Sequence, residues 1–130
     1  MVGKKPPNTV DASEFMLLLY QENDPNRIEA RDDVTQEDFQ AIVDKYRQWA
    51  EDRRAAGQLV SAERLEDNVL ILTADSRRTD FPAGRILGGY FLIRAENIEQ
   101  AEKLAVTHPH LGYGGQIEVL PLDSQASARR

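Results

Sequence analysis

Residues 15–20, FMLLLY, limit what this chain can fold into more than any other segment. The run is continuously apolar rather than alternating, and at this length it reads as a strand buried on both faces. It is far too short to span a bilayer. Residues 86–93, ILGGYFLI, have the same character, and the Gly88-Gly89 pair permits a bulge or a close backbone approach. A sheet built on two such strands needs a layer over each face.

Two amphipathic helices are available for one of those layers. Thr35 is a good N-cap, and Asp38 three residues on completes an approximate capping box, with Val34 and Phe39 at the positions of a hydrophobic staple. Phe39, Ile42, Val43, Tyr46, Trp49 and Ala50 follow on one helical stripe. Arg53 and Arg54 suit the negative end of the helix dipole, and Gly57 is a natural terminator. Asn97 caps a second helix that turns Ile98, Ala101, Leu104 and Ala105 inward and ends by Pro109.

LVSAER (59–64) and VLILT (69–73) read as strands, with Glu66-Asp67-Asn68 as a hairpin turn between them. ADSRRTDFPAGR (74–85) is a polar loop, GYGG (112–115) a turn, and QIEVL (116–120) a last strand with Ile117 and Val119 on one face. The principal elements give the order βαββαβ, an α+β, ferredoxin-like antiparallel sheet with both helices on one face. The opposite face stays apolar, and a second copy of the sheet covers it most simply, which predicts a homodimer.

The 130 residues suit one domain. Residues 1–13 read as a flexible arm, 14–122 as a single α+β domain and 123–130 as a flexible tail. There are no cysteines, which removes thiolate metal sites, disulfides and a Cys nucleophile and fits a reducing compartment. With 16 basic against 22 acidic residues the net charge is −6, and no basic cluster is long enough to form a nucleic-acid face. The first residues lack the apolar stretch of a secretory signal, so the expectation is a cytoplasmic protein with no membrane or nucleic-acid partner.

TDFPAGRILGGYFLI followed by ENIEQAEKLA resembles the YCII-related family, in particular its DGPF-like branch. FMLLLY matches that branch's first strand, Arg54-Ala55-Ala56-Gly57 the end of its helix, and Gly88-Gly89-Tyr90 its Gly-Gly-aromatic strand. Ile117-Glu118-Val119-Leu120-Pro121 echoes its final strand, and the matches run in order from about residue 15 to residue 121. The resemblance implies a dimeric α+β barrel. The naming motif is reduced here to Asp80-Phe81-Pro82. The histidine that other branches pair with an aspartate near the first helix is missing from residues 31–39, so fold and dimerisation carry over and that dyad does not.

Asp80 takes the place of the branch's signature aspartate, where it could act as a general base or hold a cationic ligand; beside Thr79 and Pro82 it is equally ordinary turn chemistry. Arg85 can bind an anionic group. Tyr20 and Tyr90 can orient a ligand or pack in the core, and His108 can supply a proton near neutral pH. His108 and His110 flank Pro109; without a third histidine they read as hydrogen-bonded imidazoles at a turn rather than a metal site. The acidic run from Glu29 to Asp38 reads as a solvated loop and a favourable helix start.

No metal and no cofactor are expected. The predicted site is one small-molecule pocket per subunit, lined by Asp80, Arg85, Tyr90 and His108 with Tyr20 a further candidate, and Asp80 and His108 its catalytic candidates. That gives a small-molecule-binding protein or an acid/base enzyme. The competing reading is a noncatalytic dimerisation module.

Overall fold

The computed structural model describes residues 13–23, 35–82 and 84–123. Val34, the acidic stretch before it and most of the two terminal segments lie outside the described residues. The elements run β1 (Glu14–Asn23), α1 (Gln36–Ala55), β2 (Leu59–Arg64), β3 (Ile71–Leu72), β4 (Arg77–Arg78), β5 (Gly84–Arg94), α2 (Ile98–Ala105), a 3-10 turn (Pro109–Tyr113) and β6 (Gln116–Pro121).

Four strands form one antiparallel sheet in the order β2-β5-β1-β6. The run that reads as doubly buried is β1, one of the two central strands. Within the chain its burial alternates: Phe15, Leu17 and Leu19 are buried, while Met16, Leu18 and Tyr20 are half-buried. The first set shares a face with Phe91 and Ile93 of β5 and with Ile117 and Val119 of β6, as the pairing register requires. Both helices pack on that face, α1 through Tyr46, Trp49 and Ala50 and α2 through Ile98, Ala101, Leu104 and Ala105, giving one core. The fold is α+β, with two helices against a four-stranded antiparallel sheet, and is compatible with a ferredoxin-like arrangement. Among the described residues no helix is long and apolar enough to cross a membrane.

Local chemistry sets the helix ends. Thr35 Oγ1 accepts from the Asp38 amide (3.0 Å) and the Asp38 carboxylate accepts from the Thr35 amide (3.1 Å), a complete capping box. Beyond α1, Gly57 takes φ of 75°, the left-handed geometry that glycine adopts without a β-carbon penalty. Asn97 Oδ1 accepts from the Gln100 amide at 2.8 Å and starts α2.

The two central glycines serve both of the expected purposes. Leu19 pairs with Gly89 and Tyr20 with Leu87, so Gly88 is the extra residue of a bulge. A β-carbon on Gly89 would lie 2.9 Å from the Glu63 carbonyl oxygen, so β2 can approach β5 here only because Gly89 has none.

The predicted hairpin between residues 59–64 and 69–73 does not form. β2 pairs with β5, and the Leu65 amide extends the contact by donating to the Gly88 carbonyl at 2.9 Å. Ile71 and Leu72 pair instead with Arg78 and Arg77 in a separate two-stranded ribbon. Its turn is closed by the Thr73 amide on the Ser76 carbonyl (3.0 Å) and by a Thr73–Ser76 hydroxyl pair (2.7 Å). The apolar pattern marked a strand without marking its partner.

Candidate functional site

The structure disperses the residues that the sequence grouped. Asp80 stands on the exposed ribbon side of the chain, paired with Arg78 at 2.9 Å with 73% of its side chain accessible. The Arg78 hydrogen bond holds its carboxyl below the usual carboxylate range, the wrong direction for a general base near neutral pH. Arg85, Tyr20 and Tyr90 do share a surface, the sheet face away from the helices. The Arg85 guanidinium lies 3.7 Å from the Tyr20 ring centre, hydrogen-bonds Gln116 and pairs with Glu118 at 3.0 Å. Tyr90 sits opposite Leu18 on that same face.

His108 lies on the other side of the sheet, in the core. It is 2% exposed, and the rings of Trp49, Phe91 and Tyr46 surround it at 4.5, 4.8 and 5.0 Å. Its Nδ1 accepts from the His110 amide at 3.0 Å and caps the 3-10 turn, which leaves the proton on Nε2. Burial, reinforced by the neighbouring His110, pushes its pKa down to about 3. His108 therefore carries no exchangeable charge near neutral pH and is a capping residue rather than a proton donor. The two imidazoles, 6.3 Å apart and nearly perpendicular, face different partners.

The second histidine occupies the position with chemistry. His110 is 8% exposed, and its Nε2 bonds the Tyr20 carbonyl oxygen at 2.7 Å, beside the start of β6. A carbonyl only accepts, so Nε2 carries a proton. When His110 is neutral its Nδ1 is an acceptor, and the Tyr46 hydroxyl, 2.6 Å away, then donates to it. Tyr46 is thus polarised by a base whose tautomer and ring orientation are fixed by backbone.

Tyr46 and His110 both line a cleft of about 560 Å³ between α1 and the sheet. Phe39, Ile42 and Val43 of α1 form one wall, and Leu19, Phe91 and the glycine bulge form the opposite side. Arg64, Arg47, Glu63 and Gln21 are the further polar residues of the lining among the described residues. A mostly apolar hollow with a few convergent polar groups is the usual form of a small-molecule site.

No protein-family model and no curated protein sequence matches this chain.

Sequence reasoning missed Tyr46 and passed over His110. Tyr46 falls on the apolar stripe of α1 and packs as that stripe predicts, stacking on Tyr113 with ring centres 6.4 Å apart. The available signal was its hydroxyl: a tyrosine on a buried stripe needs a polar partner, and the chain has only two histidines to offer. Tyr20 enters the site through its backbone carbonyl, while its ring lies on the opposite face.

Proposed function

We propose that this chain is an acid/base enzyme for a small organic molecule, with protons handled by Tyr46 and His110 in the cleft between α1 and the sheet. The observation that carries the proposal is the 2.6 Å contact between the Tyr46 hydroxyl and His110 Nδ1, with His110 Nε2 tied to the Tyr20 carbonyl. A substrate proton passes to the Tyr46 oxygen as the Tyr46 proton moves to Nδ1. The resulting imidazolium keeps its Nε2–H on the Tyr20 carbonyl, which stabilises the new charge. The reverse transfer returns a proton to another position of the substrate. Such a shuttle suits enolisation, isomerisation or elimination.

The test is deuterium incorporation from D2O into a panel of small carbon acids, followed by proton NMR. Exchange catalysed by the wild type should be lost in both Tyr46→Phe and His110→Gln. Exchange that persists in both variants would remove the relay.

Membership of the YCII-related family, in its DGPF-like branch, is proposed on the ordered motifs from FMLLLY to the last strand. A ferredoxin-like sheet is supported by the strand order β2-β5-β1-β6 with both helices on one face. The lack of cysteines suits a cytoplasmic setting.

A homodimer, and with it a dimeric α+β barrel, is supported by the sheet face away from the helices. Met16, Leu18 and Leu92 are half-buried there and Leu120 is 44% exposed. Arg94–Glu14 and Arg85–Glu118 pairs stand on the same face, so it carries both signs of charge, which suits pairing with a second copy about a twofold axis. That apolar face is also the observation favouring the second reading, a module whose task is to dimerise.

A further inference from the structure

Of the two arginines that line the cleft, one makes no ion pair among the described residues. Arg47, on the α1 wall, is ion-paired with Asp44 at 3.3 Å. Arg64, on the β2 wall, makes no ion pair among the described residues; its guanidinium rests 5.5 Å from the Phe39 ring centre. Register places Arg64 opposite Gly89, on the helix-facing side of the sheet, where the adjoining floor offers no side chain to compete with a ligand. Arg64 also borders a second hollow, shared with Glu66 and Asp67.

We propose that the cleft takes a small carboxylate, its acid group held by Arg64 and its apolar body lying along Phe39, Ile42 and Val43. This deepens the acid/base reading above and rests on it for the identity of the site. Arginine suits the role because its planar fork matches a carboxylate with two parallel hydrogen bonds. The apolar wall sets the other half of the specificity. A carboxylate anchored at Arg64 presents its neighbouring carbon toward the Tyr46 hydroxyl, where proton abstraction takes place. Arg64 is a specificity-determining residue in this arrangement and takes no part in the proton transfer.

The experiment is a titration of the full-length, nitrogen-15-labelled protein with phenylacetate and hexanoate, and with the matching neutral amides. Binding is read from amide shifts at Phe39, Tyr46, Gly88 and Gly89. The acids should bind in the cleft at least about tenfold more tightly than the amides, the loss typical of one charge-assisted contact. Arg64→Met should weaken the acids to the level of the amides and leave the amides unchanged, and Arg64→Lys should recover part of the difference. Arg64 is exposed on an edge strand, so both variants are expected to keep the wild-type spectrum, which checks the fold directly.

Equal binding of acids and amides, or an unchanged acid affinity in Arg64→Met, overturns the assignment of Arg64 while the relay stands. Shifts confined to residues outside the cleft, or no binding of either acid at millimolar concentration, overturn the carboxylate class. Conversely, deuterium exchange that survives loss of Tyr46 and His110 overturns the relay while a carboxylate preference dependent on Arg64 stands.

Discussion

Replacing Gly115 by alanine puts one methyl group against the imidazole of His110. A β-carbon built there overlaps Nε2, Cδ2 and Cε1 of that ring, the edge that faces the Tyr20 carbonyl. Gly115 has no positive φ, so the backbone tolerates alanine and the cost falls on the ring. Forcing a methyl into a packed site costs about 1–3 kcal/mol. A displaced ring also loses its bonds to Tyr20 and Tyr46, about 1 kcal/mol each. Alanine restrains the unfolded chain and returns about 0.4–1 kcal/mol. The net expectation is a loss of about 2–4 kcal/mol. Two neighbours supply internal controls. Gly112 has open space around its β-carbon position and no positive φ, so Gly112→Ala should be neutral or slightly stabilising. Gly114 has equal space but φ of 84°, so Gly114→Ala should cost about 1 kcal/mol through the backbone alone. Urea denaturation of the three variants reads the series. If Gly115→Ala matched Gly112→Ala, the packing of His110 described here would be wrong.

Other perturbations test other levels of the account. Leu17 is fully buried at the centre of the sheet, and Leu17→Ala should cost about 2–5 kcal/mol in urea; a loss below about 1 kcal/mol would contradict its place in the core. His108 titrates near 6.5 when unfolded and near 3 when folded, so the unfolded chain binds more protons between those values. Stability is therefore highest above about pH 6.5 and falls toward pH 3, by up to about 1.4 kcal/mol per pH unit. His108→Gln should flatten that fall, and an unchanged acid profile would show that His108 is not buried neutral. Leu18→Lys places a charge at the middle of the outer sheet face and should convert a dimer into a monomer by light scattering; a wild-type monomer at micromolar concentration would refute the dimer.

The parts of the fold legible in sequence were those set by neighbours along the chain. Thr35 with Asp38, Gly57 and Asn97 each act on backbone groups within a few residues, so their roles survive without knowledge of topology. The core stripe of α1 was legible because helical spacing decides which side chains share a face. Strand partners were not: VLILT has the composition of a strand, yet Leu70 is 51% exposed and Leu72, on a ribbon outside the main sheet, is 65% exposed. The site failed for a related reason. Asp80 was claimed by Arg78 two residues away, and His108 by the amide of His110, local bonds that outcompete distant ones. The Tyr46–His110 pair spans 64 residues and exists only because α1 and the 3-10 turn meet over the same end of β1.

The protonation pattern of His110 tests the central claim most directly. Long-range proton–nitrogen NMR on histidine-labelled protein distinguishes the two ring nitrogens near neutral pH. The account predicts a proton on Nε2 and a hydrogen-bonded, unprotonated Nδ1, with the Nδ1 resonance moving toward that of a free imidazole nitrogen in Tyr46→Phe. A proton on Nδ1 in the wild type, or an Nδ1 resonance indifferent to removal of the Tyr46 hydroxyl, would contradict it.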